Sequence, residues 1–475
     1  MEASLEKNRH AALPAGVDPR TRMLLEAPIV STLLRLGAPN VAVMGAQAAA
    51  GLIETWFVGK LGTDALAGMA LVFPAVMLMQ MMSGGAMGGG IASAIARAIG
   101  GQRRDDANAL VLHGAAIAVG FGLAFTLAVL LGGRWLYSSM GGSGGALTAA
   151  LTYSSWVFAG ATLIWLFNAL AAVIRGTGNM AVPAMVTCAG TVLLIPLSPL
   201  LIFGWGPVPA LGIAGGAVAL LLYYLLGTFA LVAYLMSSRS LLRPRLRGVR
   251  FQKPLFWDIL RIGLAGAVST VATNVAIAVT TALVGGFGTA AIAGYGTASR
   301  LEYLLVPLVF GLGGPLVAMV GTCMGGGRPD RAAKAAWLGA AIAFGLTEAI
   351  GLAAAAYPLA WLRLFDSDPA MLEAGSLYLR TVGPFYGFFG LGLTLYFASQ
   401  GAGRLKWPVL ANLARLAVGA LGGWLMLRWG GLALVFAAQA LALVIYGLVN
   451  AAAIAGGAWH GALRWPTLQR RSTTS

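Results

Sequence analysis

Three of the fifteen acids in this chain, Glu54, Glu302 and Glu348, stand inside runs of apolar residues. An ionisable group within a membrane span costs at least about 2.5–3.5 kcal/mol, so it faces a cavity or a partner and marks an ion or substrate path. Glu54 follows Arg35 by nineteen residues, about 28 Å along a helix. Its neighbours are Thr55, Trp56 and Phe57. A carboxylate beside aromatic faces suits a lipophilic cation, through charge attraction and cation–π contact, and it can also carry a proton. The alternative is an interfacial acid that reaches the outer surface, with Trp56 as a belt residue. Glu302 stands two residues from Arg300, on a different helical face. Either the two share one polar pocket with Tyr303, or they form a structural ion pair that locks helix ends. Glu348 lies fourteen residues past Lys334 with no charge one turn away, so its partner must come from another helix. Gln47, Asn168, Asn274 and Asn412 are weaker candidates, because such amides also serve as interhelical hydrogen-bond glue.

Other chemistries are missing from the sequence. No Gly-x4-Gly-Lys-Ser/Thr loop and no His-Glu-x-x-His pair occurs, and His10, His113 and His460 are isolated. The run Gly84 to Gly90 is followed by no Lys-Ser or Lys-Thr, so it reads as close helix packing and a softened helix. Cys188 and Cys323 have neither disulfide nor metal spacing. No nucleophile–base arrangement supports an enzyme. The expectation is a transporter without cofactor or metal, driven by a proton or sodium gradient.

The elements that position these acids are membrane spans. Hydrophobic residues make up 59% of the 475 and charged residues 10%, against about 25% charged in a soluble domain. Each stretch of about 20 apolar residues can cross a bilayer as a helix. Reading from polar break to polar break gives six spans at 29–56, 65–95, 108–133, 150–174, 183–204 and 211–236. Six more follow at 259–286, 291–325, 336–361, 375–400, 408–428 and 432–458.

The halves are copies. Val58-Gly59-x-x-Gly62-Thr63-x-Ala65-x-Ala67-Gly68 recurs at an offset of 226 as Val284-Gly285-x-x-Gly288-Thr289-x-Ala291-x-Ala293-Gly294. Gly176-x-Gly178-x4-Pro183 recurs at an offset of 225 as Gly401-x-Gly403-x4-Pro408. Six spans return the chain to its starting side, so the repeat is parallel, about an axis along the membrane normal. The predicted fold is an all-α polytopic membrane protein of twelve transmembrane helices in two six-helix lobes. Its predicted segments are an N-terminal stretch 1–28, an N-lobe 29–236, a basic linker 237–258, a C-lobe 259–458 and a tail 459–475. The buried acids break the symmetry: by the offset, Glu54 matches Thr280, Glu302 matches Val76 and Glu348 matches Gly122.

The net charge of +16 follows topology. One side, with both termini and the even-numbered connections, carries 25 of the 31 Lys and Arg, all but Lys60, Arg134, Arg300, Arg363, Arg380 and Arg428. This positive-inside bias puts both termini in the cytoplasm and removes the case for nucleic acid. The polar segment ahead of Pro28 holds no cleavable apolar core, so the first span serves as its own insertion signal.

Several segments resemble the multidrug and toxic compound extrusion (MATE) family of secondary transporters. They are Gly51-Leu52-Ile53-Glu54-Thr55 with Val58-Gly59-Lys60-Leu61-Gly62, Pro199-Leu200-Leu201-Ile202-Phe203-Gly204, Ala293-Gly294-Tyr295-Gly296 with Arg300-Leu301-Glu302, and Gly325-Gly326-Gly327-Arg328-Pro329. The resemblance covers roughly 28–460. It implies two lobes in a V around a central cavity, exporting organic cations and drugs in exchange for protons or sodium, from the inner membrane, as a monomer among membrane lipid. It also implies an acid, mostly Asp, at the position of Glu54, for ion coupling, and adds Tyr295 to the candidate site. Leu194 and Ser198 stand where many proton-coupled members carry an Asn and an Asp. Thr273 and Asn274 stand in span 7, and no acid in span 10, where some sodium-coupled members carry acids. Glu302 and Glu348 are then the candidates for the missing roles. The alternative function is a flippase for a lipid-linked or polysaccharide precursor, which would ask for more cations in the cavity.

Overall fold

Lipid offers backbone amides no partner, so a chain this apolar must bond its N–H and C=O groups within helices. The computed structural model describes residues 17–244, 251–427 and 431–459. His10, His460, Arg428 and the basic pair Arg470-Arg471 lie outside them, as does part of the expected linker. Among the described residues the extended pairing is one isolated bridge, Trp205 to Val208.

A short helix, α1 (Pro19–Glu26), precedes the first span, α2 (Ile29–Gly59). The second span is α3 (Thr63–Gln80), a π-helical turn (Met81–Met87) and α4 (Gly88–Gly100). The third is α5 (Arg104–Ser139), and the fourth is the pair α6 (Gly144–Ala159) and α7 (Ala161–Gly176). α8 (Ala181–Phe203) and α9 (Ile213–Met236) complete the first half. The second half begins with α10 (Lys253–Gly285), α11 (Thr289–Gly325) and α12 (Pro329–Ala356), followed by the short α13 (Pro358–Leu362). Then come α14 (Pro369–Val382), α15 (Tyr386–Ala402), α16 (Lys406–Ala417), a second π-helical turn (Val418–Gly422), α17 (Gly423–Leu427) and α18 (Gly431–Ala455).

Ten helical segments among the described residues are long and apolar enough to cross a bilayer unaided, and α6 with α7 makes an eleventh crossing through a 48° bend. The remaining expected span, the tenth, is not continuous as 375–400 implied. A 3-10 turn at Gly383–Phe385 divides it into α14 and α15, because Pro384 has no N–H to give the helix ladder. The α6/α7 break lies at Gly160, which the offset of 225 maps onto Phe385. The fourth span of each half is therefore broken at the same place. The chain has the expected all-helical, twelve-span, two-lobe architecture.

Three further boundaries differ from expectation for local reasons. The polar N-terminal stretch contains a helix, α1, whose N-cap Asp18 accepts from the amides of Arg20 and Thr21. Its last carbonyls are not left bare: Arg328 donates to Leu25 at 3.0 Å and Arg331 to Leu24 at 3.1 Å. Span 3 begins at Arg104, with Asp105 and Asp106 in the first turn, where acids suit the helix dipole. The linker is shorter than 237–258, since α10 already starts at Lys253 with Pro254 in its first turn. His113, isolated in sequence, accepts from the Gln252 amide at 2.9 Å and packs on Phe251 and Phe256. It ties span 3 to the end of the linker. The Gly84 to Gly90 run holds the π-helical turn, as a softened helix predicts.

The second half has its own core of second-half side chains, including Val284, Leu305, Tyr386 and Phe436. The halves meet at the end of the molecule that carries α1 and the basic residues. There α4 and α11 pack backbone to backbone: a Cβ on Gly100 would lie 2.1 Å from the Thr322 carbonyl oxygen, and one on Gly325 equally near that of Arg97. A polar clasp closes the same end. Arg97, 2% exposed, donates through Nη2 to both Asp258 carboxylate oxygens at 2.9 Å. It also donates to the Gly401 carbonyl at 3.2 Å and to Ser93. Arg261 donates to Asp258 at 2.7 Å.

Candidate functional site

Glu54 is buried in the last turns of α2, 7% exposed, in a small pocket with Ala50, Ile53, Leu194, Ile195 and Ser198. The Tyr153 hydroxyl donates to its Oε1 at 3.3 Å. On the far side a Cβ at Gly216 would lie 3.3 Å from the same oxygen, so glycine there lets the carboxylate lie close against α9. The Ser198 hydroxyl is buried with no hydrogen-bond partner among the described residues. Pro199 has no N–H to give the Ile195 carbonyl, one turn back along α8. The pocket thus offers a carboxylate and two hydroxyls, an oxygen set suited to a small cation or a proton. Among the described residues no cation pairs with Glu54.

A separate polar chain joins spans 2, 4 and 6. Gln80 donates to the Tyr224 hydroxyl. Asn168 donates to Gln80 Oε1 at 3.2 Å and to Ser83 Oγ at 2.8 Å. Asn168 therefore bridges α7 to the π-helical turn of span 2. Gln47 is exposed on α2 and faces Tyr223. Trp56 does not join the pocket. It is 58% exposed, with Lys60 Nζ 3.7 Å from its ring centroid, because two residues along a helix turn a side chain to the other face.

Glu302 lies in a second pocket, with Thr280 of α10, Tyr295 of α11, Tyr378 and Val382 of α14, Arg415 of α16 and Gln439 of α18. The Tyr378 hydroxyl donates to Glu302 Oε1. Tyr295 packs edge-on against Tyr378 at 5.2 Å between centroids and stacks on Phe436 at 6.2 Å. The basic partner in this pocket is Arg415, not Arg300 as the sequence suggested. Arg300 is exposed and lies 5.5 Å from the Phe365 ring centroid, since it leaves α11 on a different face from Glu302. The Tyr303 side chain lies outside the described residues.

The two pockets are one pocket repeated. Tyr153 and Tyr378 are 225 apart, and Ala50 and Glu54 match Ala276 and Thr280 at 226. In the first half the acid comes from the first span. In the second half threonine takes that position and the acid enters from α11 instead. Tyr153, Tyr378 and Arg415 were not singled out in the sequence. The tyrosine pair was detectable through the same repeat, at the offset of 225. Arg415 was counted with the basic end, although it sits nine residues into α16, about 14 Å from its start.

Glu348 and Asn274 belong to neither pocket. Glu348 Oε2 accepts from the Gly387 amide at 2.7 Å, in the first turn of α15, where the break at Gly383–Phe385 leaves amides without helical partners. Glu348→Ala is expected to cost about 1 kcal/mol, as lost helix caps do. That should lower the melting temperature in detergent and leave transport per folded molecule unchanged. A transport defect without a stability loss would contradict the capping geometry. Asn274 is exposed and donates to the Thr270 carbonyl of its own helix at 2.9 Å. Asn412 is the interhelical glue, donating to the Ser269 carbonyl at 2.7 Å and Thr273 Oγ1 at 3.1 Å. Among the described residues no cluster of His, Cys, Asp and Glu could hold a metal.

Comparison with known proteins agrees with this architecture. The sequence matches the MatE family over residues 39–200 and 266–425, one stretch in each half. It is 30% identical over 401 residues to a protein of Shewanella oneidensis named FAD transporter, covering 83% of this chain and 87% of the relative. It is also 30% identical over 434 residues to a probable multidrug resistance protein NorM of Deinococcus radiodurans, covering 84% and 89%. Among solved structures, a MOP superfamily transporter from Pyrococcus furiosus superimposes with a TM-score of 0.85 at 22% identity, over 94% of this chain and 100% of that one. The repeated six-span halves, the paired acid–tyrosine pockets and these matches make the chain a member of the MatE family, a multi-pass membrane transporter.

Proposed function

We propose that this protein is a cation-coupled antiporter that exports drugs or other amphipathic organic cations across the cell inner membrane. Its two lobes would alternate access to a central cavity, with both termini in the cytoplasm. The observation that carries the reading is Glu54: a buried carboxylate held by one tyrosine hydroxyl, with no paired cation among the described residues. A proton or sodium ion and an organic cation compete for such a group, and that competition is antiport. A membrane potential supplies about 2.3 kcal/mol per charge per 100 mV, to which the chemical gradient adds. The relative named NorM points to the same class of cargo.

The test is ethidium transport by the purified protein in proteoliposomes, with proton and sodium gradients imposed separately. Accumulation under one gradient and not without it is the expected result, and it names the coupling ion. Failure of both gradients to drive ethidium would end this reading. The relative named FAD transporter supports a second cargo class, an aromatic anion, and Arg415 is the residue that favours it. The precursor flippase considered from sequence would need clustered cations in its cavity, and the two pockets together hold one, Arg415.

A further inference from the structure

We propose that the second-half pocket is an anion subsite, in which Arg415 takes the carboxylate or phosphate of an aromatic ligand. The inference deepens the second cargo reading above and rests on it for transport, though not for binding. The repeat makes the case first. The offset of 225 maps Arg415 onto Gly190, so the base is an addition of this half to a pocket that otherwise follows the first.

Its surroundings make the case second. The Arg415 guanidinium lies 5.7 Å from the Phe389 ring centroid and 5.6 Å from that of Tyr446. Aromatic faces stabilise the charge and leave the planar fork of N–H donors unspent. Among the described residues no acid lies within 4.0 Å of the Arg415 guanidinium, and Glu302 acts on it only through space across the pocket. Glu302, the acid that shares the pocket, has Oε1 engaged by Tyr378. A guanidinium inside a span is costly unless an anion or a hydrogen-bond acceptor meets it. A carboxylate or phosphate fits the fork with two parallel bonds.

The walls define the rest of the ligand. Tyr295, Tyr378 and Phe436 form a stacked and edge-on set beside the charge, a surface for a flat ring system. Tyr386, fully buried, lies beside Glu302 and Tyr378. Glu302 opposes the incoming anion as a like charge, so its neutralisation should strengthen binding.

Riboflavin and flavin mononucleotide share one ring and differ by a phosphate, and both fluoresce. Fluorescence anisotropy with the purified full-length protein in nanodiscs measures the two affinities. Flavin mononucleotide is expected to bind at least about tenfold tighter, the yield of a hydrogen-bonded charge contact. Arg415→Gln should erase the preference, and Glu302→Gln should widen it. The melting temperature of Arg415→Gln should match that of the wild type, which shows that the fold survives. If that variant does not purify, inorganic phosphate should displace flavin mononucleotide from the wild type while leaving bound riboflavin and ethidium. Equal affinity for the two flavins in the wild type, a preference that survives Arg415→Gln, or indifference to phosphate would each overturn the proposal. Loss of gradient-driven ethidium export would bear on Glu54 alone, so the two readings fail separately.

Discussion

Replacing Glu54 by Gln is expected to abolish gradient-driven efflux of organic cations while the protein still folds. Two unit charges 4 Å apart interact by about 4 kcal/mol at an effective dielectric constant of about 20. Removing one of them should therefore weaken cation binding by roughly a hundred- to a thousandfold, at 1.4 kcal/mol per factor of ten. The fold should tolerate the change. Gln keeps the shape and an oxygen to accept from Tyr153, and among the described residues no cation is left behind unpaired. Tyr153→Phe should give a smaller loss, about ten- to a hundredfold, because it removes one hydrogen bond to a charged group. Trp56→Ala should leave efflux unchanged, since the indole faces Lys60 and not the pocket. The measurement is ethidium efflux by proteoliposomes at matched protein incorporation. Wild-type efflux by Glu54→Gln would remove Glu54 from the coupling step.

The sequence disclosed what a single position can disclose. A carboxylate in an apolar run is visible without any contact map, so Glu54 and Glu302 stood out. The twelve spans and their duplication were also visible, because apolar length and repeated Gly motifs are local signals. What encloses each acid was not. Tyr153 lies 99 residues from Glu54 and Tyr378 lies 76 from Glu302, and pairing across spans depends on helix rotation that hydropathy does not report. The same rotation separated Arg300 from Glu302 and Trp56 from Glu54. Glu348 signalled a buried acid, yet its partner is a backbone amide at a helix break, a group no side-chain pattern can reveal. Along the chain the acids break the twofold repeat. In space they restore it, since each half sets a carboxylate against the same tyrosine.

The second large effect is expected at the clasp between the halves, and its sign follows from the count of charges. Asp258 is the acid between two guanidinium groups, Arg97 and Arg261. Asp258→Asn leaves Arg97, 2% exposed, as an unpaired buried charge beside a like one. Breaking a buried pair in this way costs about 3–5 kcal/mol. Arg97→Gln is expected to cost less, because Asp258 keeps Arg261 at 2.7 Å. The double variant should be more stable than Asp258→Asn alone, since the stranded charge is gone. That ordering is the signature of coupling in a double-mutant cycle. A merely additive series would contradict it. The clasp joins α4 to α10 and to the end of α15, so its loss should also favour opening of the basic end. Cys323 reports on that end: it is buried there against the Leu24 carbonyl, 3.8 Å away. With Cys188 replaced by alanine it is the only thiol in the chain. Maleimide labelling of Cys323 should be slow in the wild-type background and several times faster in Asp258→Asn, at temperatures where both remain folded. Equal labelling rates would mean that the clasp stabilises the fold without setting which end is closed.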